Sequence, residues 1–118
     1  TGWIHELAAL FEEGIQAVSR NESHLLGRVM QRYASVLQRV GLEIPATFAD
    51  RQALQGLPGV LGVKGAGALQ ADSILVLLDR MVESKYRAQV IRVAERRDLV
   101  LVSDGLTYQM GVSCQNKE

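Results

Sequence analysis

Apolar residues recur at helical spacing through the first 40 residues of the chain. Between Trp3 and Val18 they follow one another in steps of three and four, which predicts an amphipathic helix with one buried stripe. That stripe comprises Trp3, Ile4, Leu7, Leu10, Phe11, Ile15 and Val18. A polar run over residues 19–23 then breaks the pattern, and Asn21 or Ser23 is suited to cap the next helix.

The second helix has the more regular repeat and ends at Gly41, a residue favoured in left-handed C-terminal caps. Its apolar stripe comprises Leu26, Val29, Tyr33, Val36 and Val40. Two such helices joined by a short polar linker predict an antiparallel pair. A brief third helix is predicted to open at Thr47, because Asp50 follows at capping-box spacing. It would turn Phe48, Leu54 and Leu57 inward.

The second half of the chain has the pattern of strands around one helix. The predicted strands are Val60–Lys64, Ser73–Leu78, Leu99–Val102 and Leu106–Val112. Ser84 is predicted to cap a helix from about Lys85 to Arg97, and Ser103 to Gly105 to form a hairpin turn. Only Gln115 to Glu118 are expected to form a tail. Segregated helices and hairpin-linked strands predict an α+β fold with a largely antiparallel sheet.

Composition narrows the classes of function. The chain has 118 residues with 13 basic and 13 acidic side chains, which suits a single domain over residues 1–118 and removes the electrostatic case for nucleic acid or an anionic membrane. No signal peptide or membrane-spanning stretch is visible, and the single cysteine, Cys114, cannot form an internal disulfide, so we expect a cytoplasmic location. The chain begins at Thr1 rather than Met, which suggests an excised or processed piece.

Residues with catalytic chemistry are scarce. His5 and His24 lie on different predicted helices without metal-ligand spacing, and Cys114 lacks a nucleophile signature, so no catalytic residue and no metal site is predicted. The segment 62–72 stands out instead, because its small residues let the backbone pass close to another group and Lys64 adds a positive charge. Two interpretations remain equally open at this point: a tight, bulged hairpin, or contact with a ligand.

The stretch from Leu57 to Val76, which contains Pro58-Gly59, Lys64 and the Gly65-Ala66-Gly67 core, resembles the third conserved motif of the GHMP small-molecule kinases. That superfamily includes galactokinase, homoserine kinase, mevalonate kinase and phosphomevalonate kinase. The resemblance covers most of the chain as the C-terminal half of such an enzyme. It implies a ferredoxin-like domain, with a four-stranded antiparallel sheet packed against helices, that closes on an N-terminal ATP-binding domain absent from this chain. The implied substrate- and phosphate-binding residues are Lys64, Gly65, Ala66, Gly67, Ala68 and Asp72.

The function implied by the resemblance is phosphoryl transfer from ATP to a small metabolite, either a sugar or a mevalonate-type acceptor. This chain would be the substrate-side domain, with the N-terminal kinase domain as its partner in cis. ATP and Mg²⁺ are expected in the full-length transferase and not on this fragment, which lacks the family's other two motifs and would be inactive alone. If the partner domain is missing, an apolar patch should be exposed near the glycine loop. Relatives carry more glycines where this chain has Ala68 to Asp72.

Two other classes of function compete with this hypothesis. One is a non-catalytic, ferredoxin-like regulatory module that binds a small ligand through the same glycine loop. The helical pair before the first strand speaks against it, because such modules usually begin with a strand. The other is an RNA-binding domain, which is disfavoured because aromatic residues make up only 5% of the chain and no strand pairs stacking aromatics.

Overall fold

The structure, a computed structural model, describes residues 2–66, 73–104 and 112–116. Within these ranges lie four helices and four strands. The helices are α1 (Gly2–Ser19), α2 (Ser23–Arg39), α3 (Pro45–Gln55) and α4 (Ser84–Arg96). The strands are β1 (Val60–Ala66), β2 (Ser73–Leu78), β3 (Leu99–Asp104) and β4 (Val112–Asn116).

The strands pair in the order β1-β2-β4-β3, and each neighbouring pair is antiparallel. The chain passes from β2 through α4 to β3, and β4 then returns between those two strands. The predicted α+β class with antiparallel strand pairing is therefore confirmed.

Helices α3 and α4 cover one face of the sheet and complete the larger hydrophobic core. Each side chain of this core is at most 8% exposed: Leu54, Val63, Ile74, Val76, Leu78, Val90, Ala94 and Leu99. Two ion pairs hold α3 at the edge of this core. Arg51 donates from Nε and Nη2 to the two carboxylate oxygens of Glu43 at 2.8 and 2.9 Å, and Arg97 Nε donates to Asp50 at 2.7 Å.

Helix α2 packs on the opposite face, against β1, at a distance that only glycine permits. A Cβ at Gly27 would lie 2.4 Å from the carbonyl oxygen of Leu61, and one at Gly62 would lie 2.7 Å from the Gly27 oxygen. The register of β1 shifts between Val60 and Gly62, so Leu61 is a bulge, and its carbonyl accepts a 2.9 Å hydrogen bond from the Gln31 side chain of α2. Helix and strand thus meet backbone to backbone.

The helical pair formed as predicted, but the first apolar stripe is not buried as a whole. Leu10 is buried and Trp3 and Leu7 are half-buried against α2, where they meet Val29 and Val36. Exposed ion pairs from Arg39 to Glu6 and from Arg32 to Glu13 also join the two helices. The remaining members of the stripe are exposed: Ile4, Phe11, Ile15 and Val18.

The predicted N-terminal helix caps were wrong. The N-cap positions of α2, α3 and α4 are Glu22, Ile44 and Glu83, and none of them makes a side-chain cap hydrogen bond. Pro45 occupies the first turn of α3, where its missing N–H costs nothing. Thr47 and Asp50 are therefore inside the helix and buried, and Phe48 is exposed rather than turned inward. Gly41 does adopt the expected left-handed backbone, with φ +79°.

The limits of β1, β3 and β4 also differ from the predictions. Strand β1 continues through Gly65 and Ala66, so the glycine-rich segment enters the sheet before the hairpin turns. Ser103 and Asp104 belong to β3 instead of a turn, and β4 begins at Val112, where the predicted return strand was to end. Gln115, predicted as tail, pairs with Val100 and Ser73 in the sheet. Glycine 105 and the predicted residues 106–111 lie outside the described ranges.

Candidate functional site

The hairpin of β1 and β2 presents one cation to the α1/α2 side of the sheet. Lys64 pairs with Leu75 across the two strands, and both side chains are half-buried. Because side chains alternate along a strand, Lys64 points away from the face that buries its neighbour Val63. Lys64 and Leu75 form the floor of a groove.

Helices α1 and α2 form the walls of this groove, which has a volume of about 550 Å³. From α1 the groove is lined by Leu10, Phe11, Gly14, Ile15, Val18 and Ser19. From α2 it is lined by Leu26, Val29, Met30 and Tyr33. The walls are almost entirely apolar, so the Lys64 floor is the charged part of the described lining.

Two contacts of the Lys64 ammonium are made with described residues. Its Nζ donates a 2.7 Å hydrogen bond to the carbonyl oxygen of Gly65 and lies 5.1 Å from the centroid of the Tyr33 ring. Among the described residues that line the groove there is no acidic side chain. Burial lowers the pKa of Lys64 below its ordinary value, because the charged form is desolvated.

The residues predicted to bind substrate or phosphate are only partly brought together. Lys64 lines the groove, Gly65 supplies the carbonyl that its ammonium contacts, and Ala66 pairs with Ser73 at the end of the hairpin. Gly67, Ala68 and Asp72 fall in the segment 67–72, outside the described residues. Of the six predicted residues, the structure therefore describes Lys64, Gly65 and Ala66.

The close contact at Gly62 distinguishes the two interpretations of segment 62–72, namely a bulged hairpin and contact with a ligand. The glycine sits next to the bulge, and the group that comes close to it is the backbone of Gly27 in α2. The contact there is made by the protein itself, without a ligand. The bulged-hairpin interpretation therefore accounts for the first glycine of the segment.

Other candidate chemistry is sparse in the described part of the chain. His5 and His24 are both exposed, and His24 Nε2 lies 3.7 Å from the Asp79 carboxylate. Residues 2–66, 73–104 and 112–116 contain no cluster of three or more histidine, cysteine or carboxylate side chains able to hold a metal ion. None of the described helices is long and apolar enough to cross a membrane.

Sequence reasoning missed the groove walls, although the sequence contains a signal for them. Helix α1 carries two apolar stripes offset by one residue, which is about 100° around a helix. The inner stripe, against α2, is Trp3, Leu7, Leu10, Gly14 and Ala17. The outer stripe, exposed and in part lining the groove, is Ile4, Ala8, Phe11, Ile15 and Val18. A single packing partner covers one stripe, so the second stripe indicates a second contact surface.

The exposed outer stripe of α1 shares one groove with the strands that flank segment 67–72, and that segment itself lies outside the described residues. The expected apolar patch near the glycine loop stays a prediction. Comparison with known proteins adds no family assignment. No protein-family model matches this chain, and no curated protein matches it.

Proposed function

We propose that this chain is the acceptor-side, C-terminal domain of an ATP-dependent small-molecule kinase of the GHMP type. In this proposal the chain catalyses no phosphoryl transfer by itself. It completes an active-site cleft together with an N-terminal ATP-binding domain in the same polypeptide. The observation that carries the proposal is the position of Lys64. It stands next to the Gly65-Ala66-Gly67 core of the motif that resembles the kinase family, and on the floor of an open groove.

The order of elements from α3 onwards supports the proposed ferredoxin-like fold. A strand, a helix and a strand, β2-α4-β3, enclose an antiparallel strand, β4, between them. This order is similar to the split β-α-β arrangement of ferredoxin-like domains, which supports the proposal. Strand β1 is next to β2 and follows α3, which packs on the same face as α4, so the six elements contain two helix-and-strand units on one sheet.

The outer stripe of α1 supports an intramolecular partner. Phe11 is 61% exposed and Ile4 is 50% exposed, although both are large apolar side chains. A contiguous apolar surface of this kind marks an interaction site. An N-terminal domain that covers the outer stripe would close the open side of the groove over Lys64. That domain would supply the contacts to ATP and Mg²⁺, for which the described residues have no cluster.

In the acceptor-side role, Lys64 would position charge and the motif would bring its backbone close to the transferred group. The Lys64 ammonium already holds the Gly65 carbonyl, so the same side chain fixes the strand that leads into segment 67–72. Loss of Lys64 would therefore remove a positive charge and release the adjacent backbone at once.

The alternative function is a non-catalytic module that binds a small ligand for regulation. The groove supports it in one respect, because α1, α2 and the β1-β2 hairpin already form an apolar groove around a half-buried lysine within this chain. The two functions differ in what the upstream coding region contains and in whether ATP is consumed.

The experiment is to express the protein together with the coding region upstream of Thr1 and to assay ATP-dependent phosphorylation of a panel of hydroxyl acceptors. We expect turnover in the extended protein and none in the 118-residue chain. Lys64→Ala and Gly67→Val should each lower kcat by at least about tenfold, in the range seen when one positioned charge or donor is lost. Lys85→Ala, at an exposed lysine on α4, is the matched control and should retain wild-type turnover. Wild-type turnover in both motif variants, or no product with any acceptor, would refute the proposal.

A further inference from the structure

The groove at Lys64 combines two features that together define a class of ligand. Its walls are long and apolar, formed by Phe11, Ile15 and Val18 on one side and by Met30 and Tyr33 on the other. Among the described residues of its floor, Lys64 supplies an ammonium group. A polar, hydroxyl-rich ligand such as a sugar would leave its hydroxyl groups without partners against these walls, which is unfavourable.

The contacts that the Lys64 ammonium makes with described residues do not use all of its hydrogen-bond donors. A lysine ammonium has three donors, and the described contacts of Lys64 are one hydrogen bond to the Gly65 carbonyl and one ring face. Neither contact carries a negative charge. Lysine is seldom fully buried unless its charge is paired, because an unpaired buried charge is costly, so even partial burial of Lys64 favours an anionic partner.

Lys85 shows what the same contact looks like without a groove. Its Nζ lies 5.0 Å from the centroid of the Tyr86 ring, almost the same distance as in the Lys64–Tyr33 pair. Lys85 is exposed, however, and water can solvate its charge. The difference between the two lysines is therefore the apolar enclosure of Lys64, and not its aromatic neighbour.

We propose that the groove binds an amphipathic anion whose hydrocarbon body lies between α1 and α2 and whose carboxylate or phosphate head pairs with Lys64. This inference rests on the proposed function, in which such a molecule is the phosphoryl acceptor. The groove would then favour an acceptor with a large apolar body over a sugar. Pockets of ~300–1,000 Å³ hold drug-sized ligands, so a groove of about 550 Å³ accommodates a chain of about ten carbons.

The test is isothermal titration calorimetry on the 118-residue chain, without ATP, using three ligands with the same hydrocarbon body. Decanoate carries an anionic head, decanol a neutral head and decyltrimethylammonium a cationic head. We expect decanoate to bind at least about tenfold more tightly than decanol, the amount that one charge-assisted contact supplies, and decyltrimethylammonium to bind no more tightly than decanol. Decyl phosphate should behave like decanoate if the head is recognised by charge alone.

Lys64→Met keeps the length of the side chain and removes its charge. We expect this variant to bind decanoate and decanol equally, while retained decanol binding reports that the groove is intact. Lys85→Met is the matched control and should keep the wild-type preference for decanoate. A preference that survives in Lys64→Met, or no preference in the wild-type chain, would overturn the proposal.

Two further outcomes would also overturn it. If decanoate binds only after Asp72→Asn, an internal carboxylate occupies Lys64 and no external anion is needed. If sedimentation shows a tight dimer that binds none of the ligands, a second copy covers the outer stripe instead.

Failure of this inference and failure of the proposed function give different results. Decanoate binding with no phosphorylation by the extended protein would leave the anion groove standing and refute the kinase function. Phosphorylation of a sugar by the extended protein, with no decanoate preference in the chain, would refute the groove ligand and leave the kinase function standing.

Discussion

The two faces of the sheet differ in how completely they are covered. On the α3/α4 face, Leu54, Val63, Val76 and Leu99 are fully buried in one core. On the α1/α2 face, helix α2 touches β1 through Gly27, and α1 leaves a stripe of large apolar side chains exposed. On the first face the buried charges are paired, as in the Arg51–Glu43 ion pair, whereas the second face has a half-buried lysine inside its groove.

This difference separates the parts of the chain that stabilise the fold from those available for binding. Folding alone favours burial of apolar groups and pairing of charges, and the α3/α4 face satisfies both. The α1/α2 face leaves apolar side chains exposed and has a half-buried lysine with no acidic side chain among the described groove residues, and both features lie at the groove. Departures of this kind are expected at functional sites, where stability is given up for a surface that contacts a ligand or a partner.

The largest expected contrast comes from truncating one apolar residue on each face. Leu54→Ala should lower the free energy of unfolding by about 2–5 kcal/mol, because it leaves a cavity in a closed core. Ile15→Ala, in the exposed stripe, should change it by less than about 1 kcal/mol, since Ile15 is 45% exposed. Urea denaturation of both variants measures the contrast. Equal losses would show that the outer stripe is part of the folding core.

A smaller effect is expected from adding one methyl group at either of two helical glycines. Gly27→Ala should destabilise by about 1–3 kcal/mol, because its Cβ would overlap the Leu61 carbonyl of β1. Gly14→Ala, in α1, should stabilise by about 0.5–1 kcal/mol, since its Cβ would lie 3.6 Å from Val29 and alanine favours the helix. Thermal unfolding distinguishes the opposite signs. Two stabilising substitutions would mean that α2 does not pack on β1 through backbone contact.

The smallest effect is a pH dependence at Lys64. Because burial lowers its pKa in the folded chain, the unfolded chain binds more protons between the lowered and the ordinary pKa. Wild-type stability should therefore rise with pH through that alkaline window, relative to Lys64→Met. Below the window, the difference in unfolding free energy between wild type and the variant should not change with pH. Lys85→Met should show no such trend in parallel urea titrations, and an identical trend in both variants would contradict a buried Lys64.

Much of the fold follows from local periodicity. The four helices and the buried strand β2 are predicted from the sequence, because apolar spacing and runs of β-branched residues act within a few residues. The N-terminal helix caps were not predicted correctly. Asn21 adopts a left-handed backbone, and its side chain accepts a hydrogen bond from Arg80, 59 residues away, instead of capping α2. Asp50 likewise forms an ion pair with Arg97 instead of capping its own helix. Tertiary partners override short-range capping signals.

The candidate site was predictable only at its floor. The sequence indicates Lys64 because it is the one lysine in the glycine-containing segment 62–72. The walls could not be assigned, because the same spacing in α1 fits one broad stripe or two narrow ones until the position of α2 is known. Gly62 illustrates the same limit from the other side, since its role depends on the approach of Gly27, 35 residues earlier in the sequence.

The central claim is that the α1/α2 face binds a ligand and the α3/α4 face does not. The most direct measurement is a backbone amide NMR titration of the 118-residue chain with decanoate. The account predicts shift changes that cluster at Lys64, at Leu75 and on the groove-lining turns of α1 and α2, and that are lost in Lys64→Met. Shift changes centred on α3 and α4, or their persistence in Lys64→Met, would contradict it.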